Sequence, residues 1–513
     1  MVWSMDIKDD ELLVQDFKHH VVDALEGIPA NDQDWTTISD MQPKKQRGIS
    51  RDYSGRRQRS KCKVLRLIDP SLYTLIFDKS SLLERPITCP MDALNLSSFG
   101  HIPGSHAAWK KAVHELNQRM ASDSSFIPIN EEYLDKLNPE DRHWLPTDIY
   151  VNNDGSVDFK SYINNLHPGK YPEAYKSIAK VIAKCLPALE QVLTDWKYRR
   201  DLRIPYNIED TASEGDPHPD DIPGFDFDNE DAYHDAREAW EEQILYSSPD
   251  DFSFVKPKRP LRPNSLRNKD LQVIIKMESV YSNPTEDYIP EEEWQGDGTA
   301  SEQIIATVAY FYDIENIRRL AMEFREGVSS VILKSRAEWL AYRYLFVTES
   351  NYRHFHYEQG AGELEIRSGQ AVCYPNVYQH RIAGIHPYDS SKPFHAKMLM
   401  LYFIDPSVRI LSTSVVPPQQ QKWWIPSIRA TPLMETIPWF VRDMIIDNVD
   451  MPMPFSRAME NRKRLDDKTT TDQDYDFNED GIYCISRFDL RIYDDQLDDR
   501  SIEFEDYSAD IFF

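Results

Sequence analysis

The sequence predicts an α+β fold in which a helical amino-terminal region packs on a jelly-roll-like β core. Apolar residues recur at intervals of three and four over 173–199, the spacing of a helix that buries one face. After residue 270 the chain changes to β-rich runs separated by Gly, Pro, Asn and Asp, at 271–280, 304–312, 362–374 and 397–405. Because these runs do not alternate regularly with helices, packed antiparallel sheets are favoured over a doubly wound parallel sheet.

Changes in composition predict the domain organisation. In chain order we expect a helical segment 1–43, a basic segment 44–66, a helical region 67–206, an acidic, proline-rich linker 207–270, a β-rich catalytic core 271–440, a closing helix 441–465 and an acidic tail 466–513. Within the core, 318–343 also has a helical pattern.

The formal net charge of -27 is concentrated in two places. Residues 207–251 hold 16 acids and one base, and residues 466–513 hold 16 acids and four bases. The rest of the chain is therefore neutral overall, and the acidic blocks are typical of solvated linkers and tails.

One stretch of the neutral remainder is strongly basic. Residues 44–66 carry ten Lys and Arg against the single acid Asp52. Such a density of cations is typical of contact with a nucleic-acid phosphate backbone, although a flexible arm or a nuclear-import signal has the same composition. The residues we expect to contact tRNA are Lys44, Lys45, Arg56, Arg57, Arg59, Lys61 and Lys63.

Several classes of protein lack their sequence signals here. The five cysteines form no CxxC pair, which argues against a disulfide framework or a structural zinc finger and favours a reducing cytosol. No apolar run approaches the ~20 residues of a membrane span, and the acidic first residues do not resemble a secretory signal. GxGxxG after a strand, GxxxxGK[ST] and GxSxG are all absent. We therefore expect a cytoplasmic protein without a membrane or DNA partner.

Chemistry-bearing residues gather in three segments of the β core. The first is Trp-Gln-Gly-Asp-Gly at 294–298, the second is Tyr-Asp-Ile-Glu-Asn at 312–316, and the third comprises 374–381 with the following 393–397. Asp297 between two glycines is also explained as a turn, and 313–316 as a strand-end turn with a helix cap supplied by Asn316.

Six strings resemble those of a large, mainly fungal family known as a domain of unknown function. They lie at 65–72, 161–168, 271–276, 312–316, 375–381 and 416–420. Most members carry Trp-His-x-Glu-Gly where this chain has Trp294–Gly298. Together with the later Gln-His-Arg, this makes the family similar to iron(II)/2-oxoglutarate oxygenases with a double-stranded β-helix core.

The resemblance implies a metal site that this chain has altered. A facial triad needs two imidazoles and one carboxylate, but position 295 is Gln, so only Asp297 and His380 remain. Ala396 stands where the family tends to have Arg, which leaves Lys397 alone to bind a co-substrate carboxylate. One interpretation is an oxygenase with a degraded site for Fe(II) and 2-oxoglutarate, and another is a non-catalytic binding protein.

The main functional prediction comes from a branch of the family that resembles arginine-containing cyclodipeptide synthases. It implies an acyltransferase or ligase that joins arginine from arginyl-tRNA to a second aminoacyl-tRNA residue, without cofactor or metal. Acids would hold the guanidinium and a general base would free the attacking amine. The residues assigned to catalysis are Glu315, His380 and Asp313, and those assigned to substrate binding are Asp297, Lys397 and Asn316.

Overall fold

The structure, a computed structural model, describes most of the 513-residue chain. The described ranges are 2–27, 34–37, 62–95, 100–124, 126–138, 142–197, 232–236, 265–282, 289, 291–292, 294–298, 301–327, 358–449 and 451–464.

The described elements mix helices and antiparallel strands, which confirms the α+β class. The strands are β1 (Trp3–Asp6), β2 (Asp34–Thr37), β3 (Lys63–Ile68), β4 (Thr147–Val151), β5 (Val157–Phe159), β6 (Lys269–Tyr281), β7 (Ile304–Glu315), β8 (Ile317–Gly327), β9 (Glu358–Ile366), β10 (Gln370–Pro375), β11 (Tyr378–Ile382), β12 (His386–Pro387) and β13 (His395–Ile404). The α-helices are α1 (Glu11–Phe17), α2 (Ala24–Glu26), α3 (His106–Met120), α4 (Glu131–Lys136), α5 (Pro172–Lys197), α6 (Gln421–Arg429), α7 (Pro432–Glu435), α8 (Trp439–Asp447) and α9 (455–464). A π-helical stretch, Lys18–Asp23, joins α1 to α2, a 3-10 helix spans Pro90–Leu94, and an isolated helical turn lies at 232–236.

A large antiparallel sheet forms the centre of the fold. Its strands follow the order β1-β10-β7-β13-β6-β3-β2, and β4 pairs with both β6 and β5. Helix α5 covers one face of this sheet because its stripe of apolar residues, from Ile178 to Val192, packs against the outward side chains of the strands. Pro187 lies within this helix.

A smaller sheet packs against the other face. Its central strand β8 pairs with β9, β11 and β12. Residues 289 and 295 add bridges beside β12 and β11, to 385 and 380. Apolar residues of both sheets, such as Phe311 from the large sheet and Phe324 from the small one, share one hydrophobic core. We call the face of the large sheet that points into this core the inner face, and the helix-covered face the outer face.

Three of the six sequence strings that resemble the family meet in a buried polar cluster. Gln420 donates to the side-chain oxygens of Asn164 and Asn165, at 2.8 and 3.1 Å. Asn165 donates to the backbone oxygen of Asp69 at 2.6 Å, and Gln419 donates to that of Tyr73 at 2.8 Å. These amides tie the 65–74, 161–168 and 416–420 regions together, which is a structural task.

The structure corrects one predicted helix and refines several segments. Residues 317–327, expected to begin a helix, form β8. Strands β4 and β5 lie within the region predicted as helical, β3 runs from the end of the basic segment into that region, and β1 and β2 lie within the first segment. The closing helix at 441–465 corresponds to parts of α8 and α9. The predicted linker and tail fall mostly or wholly outside the described residues.

Candidate functional site

Asp297 and His380 lie beside one another inside the two-sheet core. Alternation along β11 buries His380 and leaves its neighbours Gln379 and Arg381 partly exposed. The His380 Nε2 atom is 3.8 Å from Asp297 Oδ1, and the two residues are only 4% and 8% exposed. Two ligands of one metal ion at about 2.1 Å each lie roughly 3 to 3.5 Å apart. The pair is therefore close to the spacing of two metal ligands.

Neighbouring polar groups fix the position of Asp297. Thr307 donates its hydroxyl to Asp297 Oδ2 at 2.7 Å. Asn376 accepts the Asp297 backbone N–H at 3.0 Å and donates to its backbone oxygen at 2.9 Å. Gly298 has φ +68°, and a Cβ there would stand 2.6 Å from Ile304 Cδ1, so glycine is required. Asp297 does sit in a turn, but the turn aims its carboxylate at His380.

Gln295 lies directly across from His380 on the adjacent segment. Their backbones exchange two hydrogen bonds, of 3.0 Å from Gln295 N and 2.9 Å from His380 N. Residues paired in this way project their side chains to the same side. Gln295 is exposed, in contrast to Asp297 and His380. The carboxamide therefore occupies the open side of the candidate site.

One buried polar atom at the site, His380 Nδ1, has no hydrogen-bond partner among the described residues. The ring of Tyr374 lies 5.2 Å from the ring of His380. Burial lowers the pKa of His380, although the charge of Asp297 opposes that shift. Burial, reinforced by Asp297, raises the pKa of Tyr374 well above its ordinary value. Unpartnered buried polar groups are uncommon and mark this place as unusual in the core.

These residues fit a metal ion incompletely. A non-haem iron site takes two imidazoles and a carboxylate, whereas this site offers one imidazole, one carboxylate and a neutral amide. Metal-binding histidines also usually hydrogen-bond through the other ring nitrogen, and His380 Nδ1 makes no such bond to a described residue. Within the described ranges, no group of three or more His, Cys, Asp and Glu side chains could hold a metal ion.

The sequence prediction that Asp313, Glu315 and Lys397 share a site with His380 is wrong as a matter of geometry. Lys397 contacts Glu26 of α2 at 3.1 Å and Asp313 at 3.6 Å, on the outer face. Asp313 lies six residues beyond Thr307 on β7, roughly 20 Å away at about 3.3 Å per residue.

His395 completes this outer cluster. Its Nε2 lies 2.9 Å from Asp313 Oδ2 and its Nδ1 lies 3.7 Å from Glu315 Oε2. The hydrogen bond from His395 is the main cause that lowers the pKa of Asp313. We call Glu26, Asp313, Glu315, His395 and Lys397 the outer cluster.

Asn316, predicted to bind substrate, instead anchors a loop. With φ +56° it lies between β7 and β8, where its amide donates to the backbone oxygens of Asp389 and Lys392 at 2.9 and 3.0 Å. Its side-chain oxygen accepts the Asp389 N–H at 2.9 Å. All of these bonds are internal, and they cap a strand-to-strand turn instead of a helix.

One charged pair on the inner face was missed by sequence reasoning. Lys276 and Glu278 alternate with buried apolar residues along β6, and their side chains meet at 2.9 Å. The charge of Lys276 contributes to the lowered pKa of His380, after burial. Ala396, which replaces the family's usual Arg, is buried on the same face. The signal was present in the sequence as two charges at alternate positions of a strand.

Of the seven residues expected to contact tRNA, one lies within the described ranges. Lys63 lies on β3, and Lys44, Lys45, Arg56, Arg57, Arg59 and Lys61 lie outside the described residues. Cys373 is buried, and burial raises the pKa of its thiol well above the ordinary value. Among the described helices, none is both long enough and apolar enough to cross a membrane.

The fold and site define an α+β protein with a buried Asp–His pair between two antiparallel sheets. Residues 1–427 match the model of a family described as "Protein of unknown function (DUF4246)". The chain belongs to this family, as the six sequence strings predicted. No curated protein sequence matches it.

Solved structures show only distant likeness. An Fe(II)/α-ketoglutarate-dependent dioxygenase, TqaL, is 13% identical over 36% of this chain and 61% of its own, with a TM-score of 0.17. IDO from Bacillus thuringiensis is 7% identical over 57% and 93% of the two chains (TM-score 0.19). The non-haem α-ketoglutarate-dependent epimerase SnoN of nogalamycin biosynthesis is 11% identical over 26% and 52% (TM-score 0.14). At these TM-scores the likenesses carry no argument about activity, and the chain spans about three fifths of the first structure's length.

The prediction of an arginine-containing cyclodipeptide synthase is wrong. The geometry removes its basis, because the acids meant to hold a guanidinium are divided between two faces of the sheet. None of the solved structures named above is described as a cyclodipeptide synthase or a tRNA-dependent ligase. Contact of the basic segment with tRNA remains an untested prediction.

Proposed function

We propose that this protein is an oxygenase of the iron(II)/2-oxoglutarate class whose metal site is weakened by Gln295. The observation that carries the proposal is the convergence of Asp297 Oδ1 and His380 Nε2, 3.8 Å apart, at a buried point between two sheets. The strand arrangement supports it. Strands β10, β7, β13 and β6 face β9, β8, β11 and the 289–295 segment, which is the layout expected of a double-stranded β-helix.

Each residue would have a distinct role toward the metal. Asp297 would supply the negative charge and His380 the imidazole, while the side-chain oxygen of Gln295 would be a third, neutral ligand. Bound iron would supply the redox chemistry. Thr307 and Asn376 would hold Asp297 in place, because they already bond its carboxylate and backbone.

A second candidate is a non-catalytic binding protein that keeps the fold. It is favoured by two replacements relative to the family, Gln295 for an imidazole and Ala396 for a cation. Lys276, the nearby inner-face cation, is already paired with Glu278. Under this alternative the buried Asp–His pair would contact an organic ligand directly.

Metal titration separates the two candidates. We expect the purified protein to bind Co(II), a redox-stable substitute for Fe(II), weakly by calorimetry, and Gln295→His to bind it at least about 10-fold more tightly, since even outer-shell partners are worth roughly 10–100-fold. Asp297→Asn should abolish binding. Leu433→His is the control, because it adds an imidazole at a position on α7 that is 71% exposed and takes no part in the candidate site. Succinate release from 2-oxoglutarate under air would then test turnover.

The outcomes are distinct. Binding by Gln295→His alone would favour the non-catalytic alternative, because the scaffold would then be intact but the natural site incompetent. Absence of binding by both proteins would overturn the metal site altogether.

A further inference from the structure

Trp294 lies between two arginines on the outside of the small sheet. The guanidinium carbon of Arg325 is 4.6 Å from the centre of the indole ring, and that of Arg381 is 4.5 Å away. Both distances are typical of cation–π contacts. The indole thus joins the 294–298 segment to β8 through Arg325 and to β11 through Arg381.

Both arginines are themselves held in place. Arg381 donates from Nε to Glu323 of β8 at 2.7 Å, and its Nη2 lies 3.4 Å from Glu291. Arg325 donates from Nε to Gln379 of β11 at 2.7 Å. Because each guanidinium is fixed by a side chain on the neighbouring strand, the cations present a preformed slot for the indole.

The slot and the candidate site lie on opposite faces of strand β11. Gln379 and Arg381 flank the buried His380, so the outward residues of β11 hold the indole while the inward residue faces Asp297. Trp294 directly precedes Gln295, whose backbone pairs with that of His380. A displaced Trp294 would therefore move Gln295 and Asp297 relative to His380.

We propose that Trp294 is a positioning residue that fixes the 294–298 segment against β11 and thereby sets the separation of Asp297 and His380. The effect of Trp294 on metal affinity rests on the proposed function. Its effect on the position of the 294–298 segment does not. The residue itself touches none of the metal-binding atoms.

The experiment compares Trp294→Leu with Trp294→Phe, which keeps an aromatic face, and with Arg325→Gln, which removes one side of the slot. Trp423→Leu is the control, because Trp423 is also partly buried but contacts the rings of His167 and Tyr162 instead of the 294–298 segment. The two readouts are hydrogen exchange of the Gln295 and His380 amides and the affinity for Co(II). The melting temperature is followed in parallel.

We expect Trp294→Leu to accelerate exchange of these two amides by about 10-fold, because the lost cation–π contacts hold the segment down. Co(II) affinity should fall by a similar factor. Trp294→Phe should retain most of both properties, and Arg325→Gln should lie between.

Two results would overturn the inference. One is unchanged exchange of both amides in Trp294→Leu, and the other is acceleration of these amides in Trp423→Leu to the same extent as in Trp294→Leu. If the unsubstituted protein binds no Co(II), the proposed function fails, while exchange of the two amides still decides the role of Trp294.

Discussion

Two clusters of similar residues lie on opposite faces of the same strands. The outer cluster combines His395, Lys397 and three acids, and each base contacts at least one carboxylate. The inner site has Asp297 and His380, and the buried His380 Nδ1 lacks a hydrogen-bond partner among the described residues. Charged residues that satisfy one another stabilise a fold, whereas unsatisfied ones are available to a ligand. Residue type alone therefore did not identify the functional cluster.

The largest effect should follow from breaking the outer cluster. Lys397 is almost fully buried at its side chain, and Lys397→Met would remove its contacts with Glu26 and Asp313. We expect the free energy of unfolding to fall by up to about 3 kcal/mol in urea denaturation, since a hydrogen bond to a charged group is worth roughly 1.5–3 kcal/mol. Co(II) affinity should stay unchanged. Lys392→Met, which breaks an exposed pair with Asp389, serves as control and should change the stability far less, because solvent screens an exposed pair.

A smaller effect is expected where Asn376 supports the inner site. Asn376→Ala removes bonds to the backbone of Asp297 and to the Ile304 oxygen. Stability should fall by about 2 kcal/mol, and Co(II) affinity should fall as well. Asn316→Ala is the matched comparison, because it also removes backbone bonds but lies near the outer cluster. Equal Co(II) affinities in the two variants would contradict the separation of the two clusters.

The smallest effect concerns the pH dependence of stability. His395 lowers the pKa of Asp313 below its ordinary value of 3.8. A carboxyl with a lowered folded-state pKa adds stability above its unfolded pKa, and this stability is lost as the pH falls through the folded value. Asp313 is 44% exposed at its side chain, so solvent screening limits the contribution to about 1 kcal/mol or less.

Urea denaturation of the protein and of Asp313→Asn between pH 6 and 2 measures this term. The difference in stability between the two should be largest above pH 4 and should shrink toward pH 2. A difference that stays constant over this range would show that the ion pair with His395 does not contribute.

Much of the fold could be predicted because it depends on local periodicity. The helical spacing of apolar residues anticipated α5, and alternation along Tyr378–Ile382 is enough to place His380 inside. The error at 317–327 arose because charged and apolar residues mixed in a short strand also suit a helix.

The side of the sheet on which Asp313 lies depended on the tertiary structure. Simple alternation from the buried Phe311 would direct Asp313 into the core. A register shift between β7 and β13 pairs Lys397 with Asp313 but Met398 with Phe311, so Asp313 faces Lys397 on the outer side. The sequence by itself determined which residue types were present, the α+β class and the loss of an imidazole at Gln295. Only the packed sheets decided which of those residues meet. A β-bulge moves the following side chains to the other face of the sheet, and the local composition does not indicate where it occurs.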